Sequence, residues 1–168
     1  MNNLTYRTAS LEDLQAILEL LDKVKAHNKI IDLKIWQKDY PNATFIVNDL
    51  KDACGRVIED EDGKILAYTA FVKTDEEYGV DAFSLRYLMT FSRLMVNPET
   101  QGQGIGYFFI QQLINETRMI DGSGLAITVD DFNERAVNLY KKFGFTKTGI
   151  YRIDELDVTL DKYLLRIK

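Results

Sequence analysis

Leu14, Ile17, Leu18, Leu21 and Val24 recur at helical spacing behind Ser10-Leu11-Glu12-Asp13, which reads as a capping box. The pattern predicts an amphipathic helix ending near His27, after a short first strand from Leu4 to Thr8. A second helix is predicted from about Asn42 to Ala53, because the Tyr40-Pro41 step favours a break before it. Arg56 to Glu59 and Lys64 to Val72 read as strands joined by the turn Asp60-Glu61-Asp62-Gly63. Phe83 to Val96 alternates as one long strand. Regular alternation places Tyr87, Met89, Phe91, Arg93 and Met95 on one side, and Leu88, Thr90, Ser92, Leu94 and Val96 on the other. A glycine-rich turn then enters a helix with Ile105, Phe108, Phe109 and Leu113 on its inner face. Leu125 to Val129 is almost wholly apolar, as a buried central strand requires. Ala136, Leu139, Tyr140 and Phe143 form a further helical stripe closed by Gly144, and Phe145–Ile153 and Val158–Ile167 finish as strands. The order β-α-α-β-β-β-α-β-α-β-β predicts one mixed α/β domain over residues 1–168.

Composition narrows the function more by exclusion than by assignment. The single cysteine, Cys54, allows no intramolecular disulfide, and with one histidine, His27, it cannot build a zinc site. Both residues read as passive, His27 as a solvated side chain and Cys54 as a buried thiol. The start of the chain lacks a signal-peptide pattern, and no run approaches the roughly 20 apolar residues of a membrane span. The expectation is a cytoplasmic protein with no membrane partner. A formal charge of −5 argues against a nucleic-acid partner, which calls for a cationic face.

The chemistry concentrates in Gln101-Gly102-Gln103-Gly104-Ile105-Gly106, between a strong strand and a strong helix. Glycines let backbone N–H groups approach an anion, and the first turn of a helix leaves its own N–H groups unpaired at the positive end of the dipole. The segment is therefore a candidate pyrophosphate cradle. A P-loop is excluded, since Tyr107 and Phe108 follow Gly106 where Lys and Ser/Thr are needed. A dinucleotide fingerprint fits poorly, because the glycines run G-x-G-x-G and lie in the middle of the chain. The pattern Q/R-x-x-G-x-G fits at Gln101, Gly104 and Gly106, although a ligand-free glycine turn would match it equally well.

A second stretch follows the predicted buried strand, Asn133-Glu134-Arg135-Ala136-Val137-Asn138-Leu139-Tyr140-Lys141-Lys142-Phe143-Gly144-Phe145. Together with Val96 to Gly106, and in that order, it resembles the GNAT superfamily of acyl-CoA-dependent N-acetyltransferases. The resemblance implies a largely antiparallel mixed sheet of about six or seven strands with splayed central strands and about four flanking helices. It implies acetyl-CoA as cosubstrate, with backbone N–H groups of Gln101, Gly102, Gln103, Gly104, Ile105 and Gly106 around its pyrophosphate. Leu94, Met95 and Val96 would offer backbone groups to the pantetheine arm as an added strand. Asn133 would contact the cofactor, or cap the following helix, or both. Tyr140 would be the general acid that protonates the leaving thiolate, a role suited to a phenol whose ordinary pKa is about 10. Two departures stand out. Gln101 replaces the commoner arginine, losing a charge-assisted contact, and Ser92 stands before Arg93 where histidine is frequent in such sequences.

The implied reaction is direct attack of a primary amine of a small molecule or polypeptide on the thioester, with the Leu94 or Met95 N–H polarising the carbonyl. An alkyl amine is mostly protonated at pH 7, and freeing it costs roughly 4 kcal/mol, so a base is needed. Glu76, Glu77, Asp81, Asp154, Glu155, Tyr87 and Ser92 are candidates among which the sequence does not choose. Trp36, Tyr40, Tyr78 and Phe83 are candidate acceptor-cleft residues. A homodimer is compatible with the resemblance. The competing expectation is a non-catalytic CoA-binding regulatory module.

Overall fold

The computed structural model describes residues 3–30, 36, 39–74 and 87–167. Within them a seven-stranded sheet runs in the order β1-β2-β3-β4-β5-β7-β6, so the last strand inserts between its two predecessors. The strands are β1 (Thr5–Thr8), β2 (Gly55–Glu59), β3 (Ile65–Thr74), β4 (Leu88–Val96), β5 (Gly124–Asp130), β6 (Thr146–Ile153) and β7 (Val158–Arg166). Every neighbouring pair is antiparallel except β4 and β5, which run parallel. The helices are α1 (Leu14–Ile30), α2 (Ala43–Lys51), α3 (Ile105–Met119) and α4 (Glu134–Lys142). This is the single-sheet α/β architecture expected from the sequence.

Local chemistry explains the helix ends. Ser10 and Asp13 form the capping box ahead of α1. Asn42 caps α2 by accepting from the Thr44 and Phe45 N–H groups. Gly144, at φ 92°, takes the left-handed conformation that ends α4. Candidates Glu76, Glu77, Tyr78, Asp81 and Phe83, and the start of the predicted long strand, lie outside the described residues.

Two apolar layers sandwich the sheet. Ile17, Leu20, Leu21, Ile46 and Leu50 of α1 and α2 pack with Val57, Tyr68 and Met95. Ile105, Phe109, Ile110 and Leu113 of α3, with Tyr140 of α4, pack with Phe71, Met89, Phe91 and Ile127. Burying each large side chain contributes about 1.5–3 kcal/mol, so every helix is held mainly by its stripe.

The regular alternation expected for β4 fails at one point. Ser92 pairs with Ala70 and Met95 with Tyr68, so Arg93 and Leu94 together oppose Thr69. This is a β-bulge, and Arg93 within it has φ 55°. One extra residue reverses the faces beyond it. Met95 therefore packs with the α1–α2 layer, whereas Leu94 and Val96 join Met89 and Phe91 against the α3–α4 layer.

Candidate active site

The parallel β4–β5 pairing covers only Leu88, Met89 and Thr90 against Gly124, Leu125 and Ala126. Both strands continue, β4 to Val96 and β5 to Asp130, without pairing to each other. The sheet opens there into a wedge, and a cleft of about 1150 Å³ occupies it. Leu94 and Val96 line one side, Ile127 to Asp130 the other, and Tyr140 and Leu139 of α4 also face it. Met95 is fully buried on the far face of the sheet, so only its backbone is available to the wedge.

The glycine segment forms one rim of this cleft. Gly102 and Gly104 both have φ 79°, where side chains are disfavoured, and the space a Cβ would enter is empty. Gly104 precedes α3 without any side-chain cap, and the first turn of α3 carries no acidic residue. The N–H groups of Gln101 and Gln103 close turns onto Pro98 and Thr100 at 3.3 and 3.2 Å. Among the described residues, no backbone partner takes the N–H groups of Gly102, Gly104, Ile105, Gly106 or Tyr107. These donors suit a pyrophosphate, which fits the expected cosubstrate. Gly106 serves packing as well, because a Cβ there would lie 3.2 Å from Leu139 Cδ2 of α4, tighter than an ordinary contact.

Asn133 caps α4 by accepting from the Ala136 N–H at 3.2 Å, and it also lines the cleft. Tyr140 is buried, with its ring edge-on to Phe91 at 5.8 Å and against Phe145 at 5.7 Å. Burial pushes its phenol well above the ordinary range, so it is protonated throughout the neutral range.

On the α1–α2 side, Trp36, Tyr40, His27 and Arg93 line the same cleft. Arg93 is locked by Asp49 of α2, through Nη2–Oδ1 at 2.5 Å and Nε–Oδ2 at 3.0 Å. Tyr68 donates to the same carboxylate at 2.6 Å, and Tyr40 lines the cleft on the same side as Arg93. Sequence reading missed Asp49, whose only signal was a charge on the inner face of an amphipathic helix. His27 is also not merely solvated, since its Nε2 lies 3.1 Å from the Gln101 amide nitrogen. Cys54 lies outside the cleft, and burial raises its thiol pKa, with Asp49 adding to the effect. Asp154 and Glu155 are exposed and do not line the cleft, Asp154 pairing with Arg152. Asp130 is the one carboxylate lining it among the described residues.

The splayed β4–β5 pair and the uncapped glycine-led helix are arranged as the resemblance to acyl-CoA-dependent acyltransferases implies. A family model described as an acetyltransferase (GNAT) domain matches residues 51–147, more than half of the chain, so the chain belongs to the GNAT acetyltransferase family. It is an acyltransferase with acetyl-CoA as cosubstrate. The peptidyl-lysine N-acetyltransferase YjaB of Salmonella typhimurium is 28% identical over 126 residues, covering 74% of this chain and 81% of its own. A GNAT-family acetyltransferase of Streptococcus agalactiae superposes with a TM-score of 0.85 at 23% identity, covering 98% of this chain and 96% of its own. The acetyltransferase yncA of Salmonella typhimurium, solved with acetyl-CoA, superposes with a TM-score of 0.74 at 22% identity, covering 98% and 94%. No described helix is long and apolar enough to cross a membrane.

Proposed function

We propose that this enzyme transfers the acetyl group of acetyl-CoA to a primary amine by direct attack within a ternary complex. The observation that carries this reading is the wedge between β4 and β5, with free strand edges on its flanks and a neutral, buried phenol facing it. The free N–H groups of Gly102, Gly104, Ile105 and Gly106, with the side chains of Gln101, Gln103 and Asn133 beside them, hold the pyrophosphate end. The backbone of Leu94, Met95 and Val96 then pairs with the pantetheine arm as an added strand, entering the gap that β5 leaves. The bulge turns an N–H of Leu94 or Met95 toward the thioester carbonyl, where it stabilises the developing oxyanion. As the amine nitrogen bonds to the carbonyl carbon the C–S bond breaks, Tyr140 donates its proton to the thiolate, and the proton shed by the amine returns through water to restore the phenol.

The amine enters from the Trp36 and Tyr40 side of the cleft. YjaB acts on peptidyl lysine, which makes a lysine side chain of a polypeptide the first acceptor to test, with small-molecule amines as the other arm. The experiment measures thiol release from acetyl-CoA with lysine peptides and with polyamines or amino acids, for the wild type and Tyr140→Phe. The expected outcome is a kcat lower by about 10²- to 10³-fold in Tyr140→Phe with little change in CoA affinity. Equal kcat values would remove Tyr140 from the reaction, and tight CoA binding without acetylation of any amine would favour a regulatory CoA-binding module.

A further inference from the structure

The cradle lacks the cation that an arginine at position 101 would bring, and the opposite wall of the cleft places an imidazole against that residue. His27, near the end of α1, meets the Gln101 side chain at 3.1 Å, and both side chains line the cleft. One turn back on α1, Lys23 reaches Glu99 at 3.4 Å, so α1 grips the segment leading into the glycine turn at two points. We propose that His27 is a pH-dependent ligand of the phosphate cradle, its imidazolium supplying from α1 the cationic contact that Gln101 cannot make. The inference rests on reading the glycine turn as the CoA pyrophosphate site.

The hydrogen bond explains how charge and contact are coupled. With a neutral ring, the Gln101 amide NH₂ donates to Nε2. Protonation makes Nε2 a donor, so the amide turns its oxygen toward the ring. The Gln101 NH₂ is then released as a donor, alongside the Nδ1–H that the ring already carried, beside a positive charge at the rim of the cradle. Imidazole is the side chain whose charge ordinarily changes closest to neutral pH, which suits it to such a switch. The charged groups nearby do not pre-empt it. Lys23 offsets Glu99, both being exposed. Deeper in the cleft, Arg93 of β4 is held by Asp49 of α2.

The sign follows directly. The protonated form binds the diphosphate better, so affinity rises as pH falls through the imidazole range. Dephospho-CoA is the probe, because the 3′-phosphate of CoA itself titrates near pH 6 and would confound the profile. His27 is the sole histidine of the chain, so in a tag-free protein one imidazole proton resonance reports its titration. From pH 8 to 5.5 the wild-type Kd for dephospho-CoA should tighten about fivefold, the scale of one exposed ion contact. Bound ligand should raise the proton affinity of the imidazole by the same factor. His27→Gln should give a flat profile at the weak level, and His27→Arg a flat profile at the tight level. A measurable wild-type Kd that does not vary with pH, or that varies equally in His27→Gln, overturns the inference while leaving the cradle intact. No dephospho-CoA binding by any of the three proteins at any pH overturns the cradle itself and the inference with it.

Discussion

Two networks of the same composition grip the sheet, and only one of them sits on the active site. In the first, Arg56 of β2 pairs with Glu116 of α3 at 2.7 Å and Tyr6 of β1 donates to the same carboxylate. In the second, Arg93 of β4 pairs with Asp49 of α2 at 2.5 Å and Tyr68 of β3 donates at 2.6 Å. Each ties a helix to two strands through an arginine, a carboxylate and a phenol. The backbone beneath them differs. Arg56 lies in a regular ladder opposite Thr69, whereas Arg93 occupies the bulge with φ 55°. A non-glycine residue held there costs of order 1–3 kcal/mol and persists only where its surroundings enforce it. The first network therefore fastens a helix. The second fastens a helix and also a strained backbone that turns the Leu94 side chain to the wedge and the Met95 side chain away from it.

Removing each carboxylate should separate those roles most clearly. Asp49→Ala leaves the Arg93 guanidinium buried without its partner and should cost about 3–5 kcal/mol in urea unfolding. It should also lower kcat/KM on the order of tenfold to a hundredfold in the fraction that remains folded, as small misplacements of reacting groups do. Glu116 is more exposed than Asp49, 23% against 8% of the side chain, so Glu116→Ala should cost less, about 2–3 kcal/mol. Its kcat/KM should stay within about twofold of the wild type. Equal activity losses, once corrected for folded fraction, would show that the bulge needs no anchor at Arg93.

The contrast also marks where the sequence stops being informative. The glycine turn, the stripes of α1, α3 and α4 and the apolar β5 are local patterns, and single-chain periodicity reveals them. The positions of Tyr140 on the α4 stripe and of Asn133 at its cap are legible for the same reason, whereas the roles proposed for them come from the family resemblance alone. The bulge is different. One extra residue carries no propensity signal, so strict alternation puts Met95 beside Phe91 when it lies on the opposite face. The Arg93–Asp49 pair joins residues 44 apart in sequence, and the His27–Gln101 contact residues 74 apart. Such pairings are set by how the layers stack, which no short window of residues contains.

Truncating the phenols makes a smaller test of the same comparison. Tyr68→Phe removes a buried hydrogen bond to a charged group and should destabilise by about 1.5–3 kcal/mol. Tyr6→Phe should cost about 1 kcal/mol, because Arg56 continues to satisfy a more exposed carboxylate. Only Tyr68→Phe should alter KM for the amine, through a looser Arg93 beside Tyr40. A change in KM of equal size in Tyr6→Phe would remove the special link between the second network and the cleft.

The smallest effect is a pH dependence confined to the network remote from the cleft. Burial alone pushes the Glu116 carboxyl up, but the hydrogen bonds and charge of Arg56, with the Tyr6 hydroxyl, hold it below its ordinary value. A carboxyl whose pKa falls on folding adds stability that is present above the unfolded value, about 4.3, and is lost as pH drops through the lower folded value. Asp13, held down by Arg7, acts in the same direction, so the wild-type slope in acid is a sum. Glu116→Gln isolates one contribution. The variant should be less stable than the wild type at pH 7, and the two stability curves should converge as pH falls below about 4. Urea unfolding at half-unit steps from pH 6 to 3 reads this directly. Parallel curves across that range would mean that the Arg56–Glu116 pair carries no proton-linked stability and that α3 is held by its apolar stripe alone.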